Sequence, residues 1–411
     1  MIANENSLQP PVRTPRILHW LAYAIVGGYL ALALFHIATH RARYQWDFRT
    51  YYYGSSAYQA GLDPYRLRSL SQVAGREIGF PFVYPPFALI LFAPMTALET
   101  PVAYILFLVL KVAAFMGLLV VWRKGFLPEG LPPLFLAFLV FGFGGALMAD
   151  FTAGNVAVFE QLTLWVGFLG LVRRRPGVFC AGVIAASLLK LLPIVFLFLL
   201  LLAGTRRNTR WFFAGVAAFA VYLALNATLW PYFMSRFLHG SMGLDSRGID
   251  GPSTLALIRD VGDFLAGRGI PLQPEWLNTL YLLIALGIVG ITARAISRGR
   301  NESLQSLIYL ACLAFAVAAP RMKDYAYVLV LLPAYAVLTA KTLRVDNAIA
   351  LLLVSLSPRL FLPYQSSAAL SNIVWSYAPL LGAVFVWVLQ VKTLMGEKGG
   401  STGSHSQGEA E

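Results

Sequence analysis

The chain has 411 residues, of which 58% are hydrophobic and only 12% charged, and a net charge of +13. A soluble domain carries roughly a quarter charged residues, which excludes a water-soluble globular protein. Repeated apolar runs near the ~20 residues that cross a bilayer make it an all-α polytopic membrane protein. In that class a basic excess belongs to cytoplasmic loops and does not imply nucleic acid. Cys180 and Cys312 both fall inside apolar runs and support neither a disulfide framework nor a thiolate metal site.

In chain order, ten segments are predicted to cross or nearly cross: 17–38, 102–122, 131–149, 155–172, 211–230, 277–296, 303–318, 325–340, 347–362 and 372–390. The first follows Arg13 and Arg16 and reads as an uncleaved signal anchor. Two further stretches, Pro85–Leu98 and Gly177–Ala203, are too short or too broken to cross simply. Basic clusters decide how they run. The groups at Arg123/Lys124, Arg173–Arg175, Arg206/Arg207/Arg210 and Arg294/Arg298/Arg300 all become cytoplasmic under two conditions. Pro85–Leu98 must be a half-span, and Gly177–Ala203 a hairpin that enters and returns. Residues 1–398 then form one membrane domain, with long outer loops at 39–84 and 231–276 and a disordered cytoplasmic tail at 399–411.

The loop 39–84 departs from the positive-inside pattern. Six arginines (41, 43, 49, 66, 68, 76) surround three acids, Asp47, Asp63 and Glu77, among many tyrosines. Long loops tolerate such charge, but arginine forks also suit phosphate. Asp63, in Gly-Leu-Asp-Pro, reads as an Asx-type turn. Lys190 lies inside an apolar run, where an ammonium is expensive unless paired. It is expected to face a cavity or a carboxylate such as Glu160.

Several motifs in this order resemble glycosyltransferase family 87, membrane enzymes that use polyprenyl-phosphate sugars and have the GT-C fold. They are DF-x3-Y-x-G (Asp47–Gly54), AGLDPY (Ala60–Tyr65), FVYPPF (Phe82–Phe87), GN-x3-FEQ (Gly154–Gln161), LLKLLP (Leu188–Pro193) and Pro320–Tyr325. The segment Gly248–Asp260 departs from the family's Asn/Ser-containing loop, with Asp250 and Ser253 as counterparts.

Inverting transfer from a lipid phosphate needs a base for the acceptor hydroxyl and cations for the departing phosphate. The resemblance implies Asp47 as that base; a structural aspartate paired with Arg43 or Arg49 is the alternative. Read from the residues, Arg321 and Lys323 in a short outer turn can reach the donor phosphate, with Lys190 and Arg49 as further candidates; Asp150, at an outer helix end, can position an acceptor or equally serve as a cap or loop partner, and Tyr84, Tyr325 and Asn155 are candidates around the acceptor or sugar. Arg321 and Lys323 would otherwise only snorkel at the interface. Asp47 among arginines is expected to have a depressed pKa, an effect that flanking Trp46 and Phe48 could offset by excluding water. No cofactor is expected: the sequence has no Asp-x-Asp pair, no phosphate-cradling glycine loop and no clustered metal ligands.

The reading is a glycosyltransferase of the cytoplasmic membrane with its site on the outer face. It would move mannose or arabinofuranose from a polyprenyl-phosphate donor to a glycolipid or polysaccharide acceptor. The alternative is a transporter or flippase of lipid-linked glycans, which would be expected to show an internal repeat.

Overall fold

The computed structural model describes residues 16–40, 44–127, 130–202, 206–243, 247–248, 251–298, 303–339, 354–355 and 370–396. Among these the secondary structure is entirely helical. The expected span at 347–362, Asp250 and the tail lie outside the described residues, except for Val354 and Ser355.

The chain opens with α1 (Arg16–Thr39) and then builds a small cap from α2 (Trp46–Gln59) and α3 (Leu67–Ala74). A short α4 (Phe87–Phe92) runs on into the 3₁₀ turn Ala93–Ala97. Their combined length is about 20 Å, well short of the ~30 Å hydrocarbon core. Both pieces pack on α2, so Pro85–Leu98 starts and finishes against the cap.

The bundle follows. Its next members are α5 (Thr100–Gly125), α6 (Pro133–Ala153), α7 (Ala157–Val172) and α8 (Pro176–Ser187). A 3₁₀ turn at Leu192–Phe198 leads through α9 (Leu199–Leu202) into α10 (Arg206–Leu229) and α11 (Pro231–Gly243). The remaining members are α12 (Thr254–Ala266), α13 (Pro274–Arg298), α14 (Leu304–Ala318), α15 (Val328–Thr339) and α16 (Leu370–Gly396). Proline in the first turn starts α5, α6 and α8, where its missing N–H is not needed. Ser253 and Ser303 cap α12 and α14 through their hydroxyls.

Two apolar cores result. The bundle core joins α5 to α8 with α14, α15 and α16. The cap core gathers Phe48, Tyr51, Phe82, Tyr84, Phe92 and Phe107, with Tyr51 stacked on Phe92 at 4.6 Å and Phe48 on Phe107 at 4.7 Å. Asp63 ties the cap to α11: Tyr232 donates to it at 3.0 Å and Arg236 pairs with it at 3.3 Å. The Tyr65 N–H donates to Asp63 Oδ1 at 3.0 Å, closing the expected Asx turn.

Among the described residues five helices are long and apolar enough to cross a membrane: Thr100–Gly125, Pro133–Ala153, Arg206–Leu229, Pro274–Arg298 and Ile373–Met395. The expected spans 155–172, 303–318 and 325–340 become apolar helices of 10–17 residues. Asn155, Lys190 and Lys323–Asp324 interrupt apolar sequence where α7 begins, after α8 ends and before α15 begins, and Lys190 and Lys323 both act on one carboxylate in the cap.

The basic clusters gather at the other end. Arg123/Lys124 lie in the last turn of α5, whose first turn meets the cap. Arg173–Arg175 follow α7, whose first turn holds Glu160. Arg206 and Arg207 start α10, and near its far end Asn226 accepts from the Phe87 N–H beside the cap.

Candidate active site

The site begins with how α6 stops. Gly154 has a positive φ of 68°, a conformation glycine adopts without strain, and its N–H returns to the Asp150 carbonyl. A side chain at Gly154 would collide with Gln45. Gln45 itself sits in the left-handed region at φ 64° just before α2. Its backbone N–H donates to the Thr152 carbonyl at 2.8 Å and its amide to the Phe151 carbonyl at 2.5 Å. Those two bonds fix the start of α2 against the end of α6. They bring Asp47 to Asn155, more than a hundred residues later in the chain.

Asn155 Nδ2 lies 2.7 Å from Asp47 Oδ2 and 3.0 Å from the hydroxyls of both Tyr51 and Tyr84. The two tyrosine hydroxyls are 2.7 Å apart. An amide nitrogen has two hydrogens for these three oxygens, so the group works as one shared network. Burial pushes both phenols up, Tyr84 to about 12, and keeps them protonated donors at neutral pH.

Burial also raises the Asp47 carboxyl above its usual range. The Asn155 bond and the charges of Lys323, Lys111 and Lys190 pull the other way without cancelling it. The expected depression by arginines is therefore overturned. Desolvation wins, and the cations that act most strongly are lysines distant in sequence: Lys323 in the loop after α14, Lys111 in α5 and Lys190 after α8. Among the described residues Asp47 has no ion-pair partner, and its one hydrogen bond engages Oδ2.

Behind Asn155 stands Lys111, fully buried in α5. Its ammonium meets the Asp150 carbonyl at 2.5 Å, the Asn155 carbonyl at 2.7 Å and Asp150 Oδ2 at 2.8 Å. Two hydrogen bonds to backbone carbonyls and one ion pair hold this ammonium, which locks the turn that presents Asn155.

A second lysine is arranged differently. Lys190 pairs with Glu160 at 2.8 Å, remains 26% exposed, and lies 5.3 Å over the Tyr325 ring. It sits in the break between α8 and the following 3₁₀ turn, so the hairpin Gly177–Ala203 presents it to the same region. Lys323 acts on Asp47 from the loop after α14, and Arg321 in that loop acts on Tyr325. A buried carboxylate thus faces a half-exposed ammonium, a second cation and aromatic walls.

The sequence model of glycosyltransferase family 87 matches residues 82–320, more than half of the chain. The chain belongs to glycosyltransferase family 87. No curated protein and no solved structure matches it. The family 87 segment contains Tyr84, Lys111, Asp150, Asn155, Glu160 and Lys190, while Asp47, Lys323 and Tyr325 lie outside it.

Set against this family 87 framework, most of the sequence-derived candidates converge. Asp47, Asn155 and Tyr84 touch directly, and Lys190, Lys323, Arg321 and Tyr325 flank them. Two candidates do not fit their expected place. Asp150 has no exposed surface and is held by Lys111. Arg49 follows Asp47 by two residues on α2, about 200° around the helix. It lines a pocket with Arg76, Thr100 and Tyr104 instead. Two residues of the network were missed. Tyr51 is one turn after Asp47 and shares its face. Lys111 is the single charge within the apolar run 102–122, a placement that calls for a partner.

Proposed function

We propose that this protein transfers a sugar from a polyprenyl-phosphate donor to a glycolipid or polysaccharide acceptor, within a GT-C-type fold. Mannose is the first candidate sugar and arabinofuranose the second. Asp47 takes the acceptor proton; Asn155 holds Oδ2, which leaves Oδ1 to receive the hydroxyl. Lys190, Lys323 and Arg321 neutralise the departing lipid phosphate, and Tyr84 and Tyr325 flank the sugar. A carboxylate raised by burial is a stronger base than an ordinary aspartate once ionised, and neighbouring lysines help keep it ionised. The observation that carries the reading is this unpaired carboxylate, fixed on one oxygen, beside cations that belong to other elements.

The basic clusters at the opposite end of the bundle support a cytoplasmic-membrane orientation with Asp47 toward the outside. A lipid-phosphate sugar is the donor class suited to that side.

The purified chain in liposomes would be offered radiolabelled polyprenyl-phosphate mannose, polyprenyl-phosphate arabinofuranose or a nucleotide sugar. The expected result is transfer from one lipid donor that survives a metal chelator. Chelator-sensitive transfer from the nucleotide sugar alone would contradict the reading.

A further inference from the structure

Counting hydrogens in the network around Asn155 leaves one of them without a place. An ionised Asp47 can only accept, so Asn155 turns its amide nitrogen toward it. That amide brings two hydrogens and each phenol brings one. One amide hydrogen serves Asp47 Oδ2, and the tyrosine oxygens at 3.0 Å share the other. The bond between the phenols uses the hydrogen of one of them. The second phenol hydrogen has no acceptor among the described residues.

Burial decides which phenol holds it. Tyr51 has no exposed surface, and its ring is stacked on Phe92 and edge-on to Phe107. Its hydrogen can therefore go only to Tyr84. Tyr84 keeps 7% of its surface open, so the spare O–H belongs to Tyr84 and points out of the network. The Tyr84 hydroxyl is also held in place. Its carbonyl accepts from the Tyr65 hydroxyl at 2.8 Å, and Pro85 and Pro86 restrict the backbone that follows.

The charges of Asp47 and Lys190 both reach the Tyr84 hydroxyl. With Asp47 at the acceptor and Lys190 at the lipid phosphate, the group between them is the transferred sugar. Sugar hydroxyls accept hydrogen bonds as well as donate them. A site built to bond a hydroxyl discriminates strongly against a substrate that lacks it, because a buried polar group is then left unpaired.

We propose that the Tyr84 hydroxyl donates a hydrogen bond to one hydroxyl of the donor sugar and so sets which sugar is accepted; this rests on the assignment of Asp47 and Lys190 above.

The test uses the full chain in liposomes with polyprenyl-phosphate mannose, polyprenyl-phosphate arabinofuranose and the monodeoxy analogues of each, reading kcat/KM. In the wild type, one deoxy analogue of the sugar it uses is expected to lose about tenfold or more, the scale of an unpaired buried donor. Tyr84→Phe should lose a similar factor with the parent sugar and should treat that one analogue no worse than the parent. Tyr51→Phe leaves the Tyr84 hydrogen in place and should keep the discrimination. Two results overturn the proposal while leaving the assignment of Asp47 standing. One is that no deoxy analogue is penalised by an active wild type; the other is that every penalty persists unchanged in Tyr84→Phe. Absence of transfer from both lipid donors would instead overturn the underlying assignment, and this proposal with it.

Discussion

Two lysine–carboxylate pairs lie within reach of Asp47, and they are built for different purposes. Lys111 and Asp150 are both fully buried, whereas Lys190 is 26% exposed and its partner Glu160 9%. The Lys111 ammonium is held by two backbone carbonyls and the Asp150 carboxylate at the end of α6 and the Asn155 turn. Lys190 has one described acid partner and an aromatic neighbour. A sealed pair can only hold structure; a pair with open surface can exchange its partner for a ligand. Equal chemistry at two burial levels thus separates the frame of the site from its working face.

The most severe way to break the comparison is Lys111→Met. Removing one partner of a buried pair costs about 3–5 kcal/mol, which is a large share of the stability of most proteins. Expected outcomes are poor yield and a strongly lowered melting temperature in the same detergent. The double variant Lys111→Met/Asp150→Leu should regain part of that stability, since no lone charge remains. It should stay inactive, because the Asn155 carbonyl loses the donor that fixes the turn. Recovery of turnover in the double variant would show that Lys111 does not position Asn155.

The open pair should respond in the opposite sense. Lys190→Gln is expected to weaken use of the lipid donor by about 10- to 150-fold, the range for one lost charge-assisted bond. Its melting temperature should stay close to that of the wild type. The double change Arg321→Gln/Lys323→Gln should act similarly on donor saturation and leave acceptor saturation unchanged. Normal donor saturation in both variants would reduce these cations to structural or interfacial roles.

A smaller effect, on pH rather than rate, sharpens the link between the frame and the base. The Asn155 bond favours the ionised form of Asp47. Asn155→Ala should therefore raise the Asp47 pKa further. Because the base must be ionised, activity falls as pH falls through that value, and the acid limb of kcat/KM should move to higher pH. An unmoved limb would mean that the profile reports another group.

Much of this site was legible in the sequence, and the failures are physical. Asp47, Asn155 and Tyr84 sit in motifs whose order resembles one family, and Lys190 announced itself as a charge in an apolar run. The same rule applied to Lys111 would have found the frame. Arg49 was expected at the donor phosphate, yet it follows Asp47 by two residues on α2, and two steps along a helix point to opposite sides. The Asp47 pKa was expected low because the nearby arginines were weighed above the exclusion of water by Trp46 and Phe48, whereas burial is the larger effect. Asn155, Lys190 and Lys323 fall between helices inside the protein, a tertiary placement that hydropathy does not register.

The central claim is that Asp47 is the base, and Asp47→Asn tests it most directly when turnover and melting temperature are measured on one sample. Burial raises the folded pKa of Asp47, so the native state favours its protonated form. The stability from this group is complete at acid pH and is lost as pH rises through the raised value. At neutral pH the ionised carboxylate is therefore a burden that asparagine removes while keeping shape. The expected result is a turnover loss of at least about 10²-fold with a melting temperature unchanged or raised. A variant that melts lower and keeps most of its turnover per folded molecule would contradict the account.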